Sequence, residues 1–313
     1  MVQVSIIIPV YNAADFIADA LESVRAQTFA DWECIVVDDC STDRSSEILL
    51  QFAARDDRIK AVFLEENGGA SRARNAALEK ATGQWITLLD ADDVYDVHRL
   101  NTLVTLAQDR SADLVFDNQI IADFPSTQPV GRAFHWLTQA DAPFSAEQFF
   151  KRSAIFGRSL NPGYMKPLFS RAFIEDNRLR YDPQFRSGQD YLFYANAFAR
   201  GPRCFATSYA GYVYRRRKGS LSRSGGTHLR NHARLSDEIL TRHGTRLSKA
   251  SSGALRSRKR YFMNAAALYD VRLALNARSL GKAVAIMVRE PGSVVGAVAQ
   301  VRRRVMAFLT GQK

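Results

Sequence analysis

Two clusters of carboxylates each follow a strongly apolar run. Residues 34–37 lead into Asp38 and Asp39, and residues 85–89 lead into Asp90-Ala91-Asp92-Asp93. Neighbouring carboxylates repel one another, so a binding site explains these clusters better than an ordinary turn does. Carboxylate oxygens are the ligands that Mg²⁺ and Mn²⁺ prefer, and such ions usually bind through one or two carboxylates plus a substrate's phosphates. The clusters therefore predict a metal-assisted site for a phosphate-bearing small molecule.

The first 120 residues alternate apolar strands with helical patterns, which predicts a parallel sheet with right-handed crossovers. We predict strands at residues 4–11, 33–39, 59–64, 85–89 and 114–116. The intervening helices are predicted from Ile17, Ala20, Leu21 and Val24; from Ile48, Leu49 and Phe52, with Ser41 or Thr42 as the cap; from residues 71–81; and from Val97, Leu100, Leu103 and Val104. Ligands of open α/β sheets bind at the carboxyl ends of the strands, so we expect both acidic clusters to face one crevice.

The later sequence is patterned less clearly. Residues 124–165 contain four prolines and are predicted to be irregular. From residue 200 we predict short aromatic strands around Tyr209, Tyr212 and Tyr214, followed by basic helices. In the last predicted helix an apolar stripe lies beside three arginines; the stripe is Val294, Val298, Val301, Val305 and Phe308, and the arginines are Arg302, Arg303 and Arg304.

Charge divides the 313-residue chain unevenly. Residues 1–200 hold 20 Lys/Arg and 28 Asp/Glu, a net charge of −8, whereas residues 201–313 hold 23 and 4, a net charge of +19. Such a basic tail suits a polyanion, either a nucleic acid or the anionic cytoplasmic leaflet of a membrane. The three cysteines are too scattered for a disulfide framework, and residues 1–14 lack the basic start of a signal peptide. We therefore expect a cytoplasmic setting.

Five ordered segments resemble family 2 of the inverting glycosyltransferases. They are residues 4–12 (VSIIIPVYN), 27–29 (QTF), 37–43 (VDDCSTD), 67–75 (NGGASRARN) and 90–93 (DADD). Each segment alone is weak, but the five in order are specific. The resemblance implies the α/β GT-A fold of nucleotide-diphospho-sugar transferases, with a mostly parallel central sheet flanked by helices. We expect this domain at residues 1–225, with its nucleotide half at about 1–120 and its acceptor half at about 121–225, and a basic helical extension at 226–313.

The resemblance also implies which residues hold a nucleotide-sugar donor. The implied donor-binding residues are Pro9, Tyr11, Asp38, Asp39, Gly68, Arg74, Asp90 and Arg217, and Asp92 is the implied ligand of Mn²⁺ or Mg²⁺. Asp39, with Asp38 beside it, would read the uracil ring, Asp90 would contact ribose, and Arg74 would pair with ribose or phosphate. Structural roles remain open: Asp38 and Asp39 in solvation or capping, Arg74 in a surface salt bridge, and Asp93 as a helix cap.

The implied catalytic base lies in the second half of the chain. Ser187-Gly188-Gln189-Asp190-Tyr191 resembles the family's Glu-Asp dipeptide, with Gln189 in place of Glu. Asp190 would take the proton of the attacking acceptor hydroxyl, and capping of a helix is its alternative role. Arg217 stands where the family's Tyr-x-x-His-x-x-Ser segment has His; because a guanidinium does not ligate metals, it would act on phosphate, unless it belongs to a solvated basic loop.

These expectations combine into one hypothesis about function. We expect an inverting transferase that moves a sugar, with glucose preferred, from a UDP-sugar to a lipid-linked oligosaccharide during surface polysaccharide assembly. The expected partners are the donor, the acceptor and the inner face of the cell membrane, with a homodimer possible. Nucleic acid is not expected, because residues 270–313 offer a single aromatic residue for stacking. A nucleic-acid-binding protein and a nucleotidyltransferase remain alternatives, although the latter's Gly-rich, Lys-bearing phosphate loop is absent near the first strand.

Overall fold

The chain divides into two compact units, Met1–Lys218 and Gly219–Lys313. The structure, a computed structural model, describes residues 2–156, 159–217, 225–277, 279–290 and 292. In the described residues, the first unit contains the β-sheet and the second contains helices.

Four strands and three helices alternate at the start of the first unit: β1 (Val4–Val10), α1 (Ile17–Arg25), β2 (Trp32–Asp38), α2 (Ser45–Arg55), β3 (Ile59–Phe63), α3 (Ala70–Lys80) and β4 (Trp85–Leu88). β2 and β4 are buried along their whole length, and β1 is nearly so. Continuous apolar runs of this kind are typical of parallel strands that are covered on both faces. In α1 the four residues predicted to face the core are all buried.

The rest of the first unit adds shorter elements around two long strands: β5 (Val94–Tyr95), α4 (Arg99–Asp109), β6 (Leu114–Asp123), β7 (Gly131–Arg132), β8 (Ala142–Pro143), α5 (Ala146–Ser153), a 3₁₀ helix (Pro162–Tyr164), β9 (Leu168–Ser170), α6 (Arg171–Asp176), α7 (Gln189–Phe198) and β10 (Cys204–Arg216). One sheet has the order β3-β2-β1-β4-β9-β6-β10-β5, with β7 beside β6 and β8 beside β10. The long strands pair in parallel, and the antiparallel pairings are short. The predicted α/β fold with a mostly parallel sheet is confirmed.

Two predictions about the second half of this unit were wrong. Residues 124–165 are not irregular throughout, because they contain β7, β8, α5 and the 3₁₀ helix. α5 even begins with a reciprocal capping box between Ser145 and Gln148, a sequence signal that the prolines obscured. The aromatic segment from residue 204 is one long strand whose register shifts between Thr207 and Tyr212, rather than several short strands.

Two details of the helices also differ from prediction. Neither Ser41 nor Thr42 caps α2, since that helix begins at Ser45, whose backbone N–H donates to Asp43 Oδ1 at 2.9 Å. Val97 precedes α4 and is exposed. In both places a turn comes directly before the helix. The spacing of apolar residues alone does not show where that turn ends and the helix begins.

The second unit contains α8 (Gly225–His243), α9 (Lys249–Asn276) and α10 (Leu280–Arg289). Arg258 of α9 is buried and donates to the carbonyl oxygen of His232 and to Ser236 Oγ, at 2.7 and 3.0 Å, which ties α9 to α8. This is the basic helical extension that the sequence predicted. The apolar stripe predicted between residues 294 and 308 lies outside the described residues. Among the helices that are described, none has the length and apolar character needed to cross a bilayer.

Candidate active site

Parallel pairing places both acidic clusters at one edge of the sheet. β1, β2 and β4 are neighbours and end at Val10, Asp38 and Leu88. The backbone N–H of Asp39 donates to the carbonyl oxygen of Val10 at 2.8 Å, which holds the first cluster against the end of β1. Pro9 lies in β1 opposite Val37, and Tyr11 follows β1 with an exposed side chain. This is the crevice in which open α/β sheets bind ligands.

Asp39 fixes the glycine turn that precedes α3. Its side chain is buried, and its two carboxylate oxygens accept hydrogen bonds from the backbone N–H groups of Gly68 and Gly69 at 2.8 and 2.7 Å. Gly69 has φ +82°, a left-handed conformation that favours glycine. The turn and the end of β2 therefore form one corner of the crevice.

Asp38 has the contacts of a turn residue. Its Oδ1 accepts the backbone N–H of Ser41 at 3.0 Å and the hydroxyl of the same serine, and its Oδ2 accepts the hydroxyl of Ser46. These bonds join the end of β2 to the start of α2. Neither structural alternative weighed for Asp38 applies, because the residue is buried rather than solvated and no side chain caps α2. Its part in nucleotide binding stays a prediction.

Asp90 and Asp190 share two buried cations, although 100 residues separate them in sequence. Arg74, from α3, donates from Nη2 to Asp90 Oδ1 at 3.0 Å, and its Nη1 lies 3.1 Å from Asp190 Oδ1. Lys166 Nζ lies 2.7 Å from both Asp90 Oδ2 and Asp190 Oδ2. We call Arg74, Asp90, Lys166 and Asp190 the ion cluster. It joins the end of β4 to the first turn of α7.

Opposite charges stabilise the ionised forms of Arg74, Asp90 and Lys166 against the cost of burial. Burial opposes ionisation of Asp90, but Lys166 and Arg74 prevail and lower its pKa to about 2. Burial likewise opposes the charge on Lys166, yet Asp190 and Asp90 raise the pKa of its ammonium above the ordinary value. Arg74 is not the surface salt bridge weighed as its alternative role, because its side chain is only 7% exposed. Removing one partner from such a buried pair commonly costs about 3–5 kcal/mol.

Asp92 and Asp93 differ although they are adjacent. Asp92 is partly exposed and accepts a hydrogen bond on Oδ2 from Arg217 Nε at 2.7 Å. Asp93 is buried and accepts from Tyr212 Oη at 2.5 Å and from the backbone N–H of Arg215 at 2.8 Å. Burial, together with the charges of Asp92 and Asp90, raises the pKa of Asp93 well above its usual range.

The contacts of Asp93 settle its structural role. Since α4 begins at Arg99, Asp93 does not cap that helix; it fastens the strand-end loop to β10 instead.

The donor set fits a divalent ion only in part. Across the described stretches of chain, no group of three or more His, Cys, Asp or Glu side chains is arranged to hold a metal. Asp90 and Asp93 each use both carboxylate oxygens on protein partners, whereas Asp92 accepts the hydrogen bond from Arg217 on one oxygen. A hard ion held by Asp92 and completed by substrate phosphates fits this arrangement.

Lys166 is the site residue that the sequence analysis missed. It directly follows the stretch predicted to be irregular, residues 124–165, and a single lysine there has no spacing to distinguish it. The available signal was its context, a lysine among apolar residues at 165 and 167–169, because lysine is rarely buried unless paired.

The parallel sheet, the carboxylates at its strand ends and the glycine turn define the GT-A class of nucleotide-diphospho-sugar transferases. The family description "Glycosyl transferase family 2" matches residues 5–165. This chain belongs to glycosyltransferase family 2, which excludes the nucleotidyltransferase alternative.

Relatives in this family act in bacterial surface polysaccharide pathways. The chain is 36% identical over 224 residues to succinoglycan biosynthesis protein ExoO of Rhizobium meliloti (strain 1021), covering 70% of this chain and 62% of ExoO. It is 33% identical over 299 residues to ExoU of the same organism, covering 93% and 84%. It is 35% identical over 134 residues to WfgD of Escherichia coli, covering 41% and 52%; WfgD is a UDP-Glc:alpha-D-GlcNAc-diphosphoundecaprenol beta-1,3-glucosyltransferase. This chain thus spans less than two thirds of the lengths of ExoO and WfgD.

A solved structure of similar fold is Staphylococcus aureus TarS 1–349 in complex with UDP-GlcNAc. The TM-score is 0.64 at 19% identity, over 94% of this chain and 92% of that one. The likeness extends the GT-A assignment beyond the residues that the family description matches.

Proposed function

We propose that this protein transfers glucose from UDP-glucose to a lipid-linked oligosaccharide during assembly of a surface polysaccharide. The observation that carries the proposal is the ion cluster, because it joins Asp90, beside Asp92 on the donor side, to Asp190 on the acceptor side. The UDP-glucose donor of WfgD and the complex of TarS with UDP-GlcNAc support a UDP-sugar donor, and WfgD supports glucose and a diphosphoundecaprenol-linked acceptor.

On the donor side, Asp39 and Gly68 form the uracil corner. A uracil N3–H can donate to Asp39, whose carboxylate retains acceptor capacity beyond its two backbone hydrogen bonds. Pro9, Tyr11 and Asp38 line the same strand ends, and Asp90 faces the ribose. Arg74 contacts Asp90 and Asp190, so we assign it to holding these carboxylates, and a direct phosphate contact from Arg74 stays a prediction.

On the acceptor side, Asp190 acts as the general base. Its Oδ2 accepts a hydrogen bond from Lys166, and its Oδ1, although buried, has no hydrogen-bond partner among the described residues, since the nearby Arg74 Nη1 is poorly aligned. Oδ1 is therefore the oxygen available to a substrate hydroxyl. As the hydroxyl oxygen attacks the anomeric carbon, its proton passes to Asp190 and the bond to the diphosphate breaks. A single displacement of this kind inverts the anomeric configuration and releases UDP.

Asp92 is the residue that would hold Mn²⁺ or Mg²⁺. When bound, such an ion neutralises charge on the leaving diphosphate. Arg217 donates to one carboxylate oxygen of Asp92 at 2.7 Å, and the other oxygen would be available to the ion. The planar guanidinium of Arg217 is also suited to pairing with phosphate.

The second unit supports peripheral attachment to an anionic membrane. In α10, Leu280, Val284 and Val288 are exposed at four-residue spacing, and Lys282 and Arg289 lie on the same helix. An apolar stripe beside basic residues is typical of helices that lie in the membrane interface. The alternative is that a second copy of this chain covers the stripe in a homodimer.

A donor screen tests the proposed function. Purified protein with Mn²⁺ is supplied with UDP-glucose, UDP-galactose, UDP-GlcNAc or GDP-mannose, and nucleoside diphosphate release is measured with and without a glycolipid acceptor of the diphosphoundecaprenol type. We expect UDP release to be fastest from UDP-glucose and to rise when the acceptor is present. Release from GDP-mannose alone would overturn the uridine assignment, and equal release from the three UDP-sugars would overturn the preference for glucose.

A further inference from the structure

The strand β9 gives Lys166 a defined place beside the donor motif. β9 pairs antiparallel with β4, with Trp85 opposite Ser170 and Ile86 opposite Phe169. If the same register is extended beyond the paired residues, residue 166 lies opposite residue 89. The pairing of β9 with β4 therefore brings the backbone of Lys166 close to the end of β4, where its side chain contacts Asp90.

A second buried ion pair fixes the backbone at this point. Arg99 donates from Nη2 to the carbonyl oxygen of Lys166 at 2.5 Å, and from Nε to Asp117 Oδ2 at 2.9 Å. The side chains of Arg99 and Asp117 are almost completely buried. Because Arg99 and Asp117 lie in the core of the unit, they hold the backbone of Lys166 in place. The Lys166 side chain is itself only 5% exposed, which restricts the movement of its ammonium away from the two carboxylates.

Lys166 is also the residue that orients Asp190. Within the described part of the chain, the hydrogen bond recorded to the Asp190 carboxylate comes from Lys166, at 2.7 Å. Arg74 supplies charge near Asp190 but lacks hydrogen-bond alignment to it. The same ammonium lies 2.7 Å from Asp90, so one buried nitrogen links a donor-side carboxylate to the acceptor-side carboxylate.

We propose that Lys166 is a positioning residue for the transfer reaction, which fixes Oδ2 of Asp190 relative to the donor site and leaves Oδ1 free to accept the proton. This inference rests on the proposed role of Asp190 as the base. Lys166 need not touch substrate; it acts through the position of Asp190.

Neutral and charge-retaining variants separate position from charge. In Lys166→Met we expect kcat to fall about 10²-fold at pH 7, because a displacement of about 1 Å at a reacting group can cost that much. UDP affinity should stay within about threefold, since Lys166 is expected to act on the base rather than on the nucleotide. Lys166→Arg keeps the charge but cannot place one nitrogen between the two carboxylates, so we expect a roughly tenfold lower kcat.

The comparison of kcat with UDP affinity distinguishes this role from a merely structural one. A misplaced base lowers kcat and leaves UDP affinity unchanged, whereas a loss of structure lowers both. Partial recovery of kcat in Lys166→Arg relative to Lys166→Met is the second expected sign, because another cation then stands beside the two carboxylates.

The experiment measures kcat at pH 7, UDP affinity by calorimetry and the melting temperature. The matched control is Lys151→Met, which breaks an exposed pair with Glu147 on α5 and should leave all three unchanged. If Lys166→Met does not fold, Lys166→Gln replaces it; if neither folds, a wild-type kcat in Lys166→Arg overturns the proposal. An equal loss of kcat and of UDP affinity in Lys166→Met also overturns it. A wild-type protein that releases UDP from no donor refutes the proposed function instead.

Discussion

Carboxylates at two corners of the active site are held by different kinds of partner. Asp39 is held by neutral backbone N–H groups of Gly68 and Gly69, whereas Asp90 and Asp190 are held by Lys166 and Arg74. Neutral donors fix the position of a carboxylate without cancelling its charge, so the Asp39 corner remains a strong acceptor for a ligand N–H. In the ion cluster the charges of two cations and two carboxylates balance. Each cation contacts both carboxylates, which fixes the two carboxylates relative to each other. We propose that one corner recognises the nucleotide and that the other aligns the reacting groups.

The largest effect is expected at the aligned base. Asp190→Asn is nearly isosteric but cannot accept a proton, so transfer should fall about 10²–10⁴-fold, the usual contribution of a general base. UDP affinity should stay within a few-fold of wild type. Steady-state transfer and calorimetric UDP binding measure the two quantities, and equal losses in both would make Asp190 a structural residue.

Asp92→Ala is expected to have the next largest effect. Loss of the proposed metal ligand should lower metal-dependent transfer by about 10²–10³-fold, comparable with losing one charge-stabilising group. The fold should survive, because the charge of Asp92 raises the pKa of the buried Asp93 and its removal relieves that repulsion. The rise in melting temperature that Mn²⁺ gives in the presence of UDP should disappear. The control is Asp123→Ala, which breaks an exposed pair with Arg216; an unaltered metal response in Asp92→Ala would exclude Asp92 as the ligand.

A smaller effect is expected at the recognition corner. Asp39→Ala removes the acceptor of two backbone N–H groups and the proposed acceptor of the uracil N3–H, so UDP should bind roughly tenfold more weakly, equivalent to about 1.4 kcal/mol. Asp38→Ala is the comparison, because its carboxylate faces Ser41 and Ser46. Calorimetry with UDP should separate the two variants. A larger loss of affinity in Asp38→Ala would transfer the uracil contact to that residue.

The smallest effect on catalysis is expected in the second unit. Replacing Leu280, Val284 and Val288 together by serine should release the protein from liposomes that contain anionic lipid, with donor hydrolysis unchanged. These side chains are exposed, so the fold should be unaffected. The control triple replaces exposed apolar residues of the first unit: Leu50, Val130 and Ile155. Equal liposome binding by both triple variants would show that the α10 stripe does not bind the membrane. A change in oligomeric state in the α10 variant would show instead that the stripe forms a dimer interface.

The two corners also differ in how far the sequence predicted them. The Asp39 corner lies among consecutive parallel strands, where apolar runs, a glycine turn and short connections are all local signals. The ion cluster depends on Lys166, which the three-residue strand β9 brings into place by pairing with strands distant in sequence. No periodicity marks a strand of that length. The sequence predicted Asp90, Arg74 and Asp190 separately as site residues, but their joint ion pairing with Lys166 arises only in the folded sheet.

The link between Lys166 and Asp190 is tested most directly by a double-mutant cycle. Transfer from UDP-glucose is measured for wild type, Lys166→Met, Asp190→Asn and the double variant, each at saturating donor. If Lys166 acts through the base, its substitution should cost about 10²-fold in the wild-type background and less than about threefold once Asp190 is already Asn. If the two losses instead multiply in the double variant, Lys166 acts independently of Asp190, and the account of a single aligned unit is wrong.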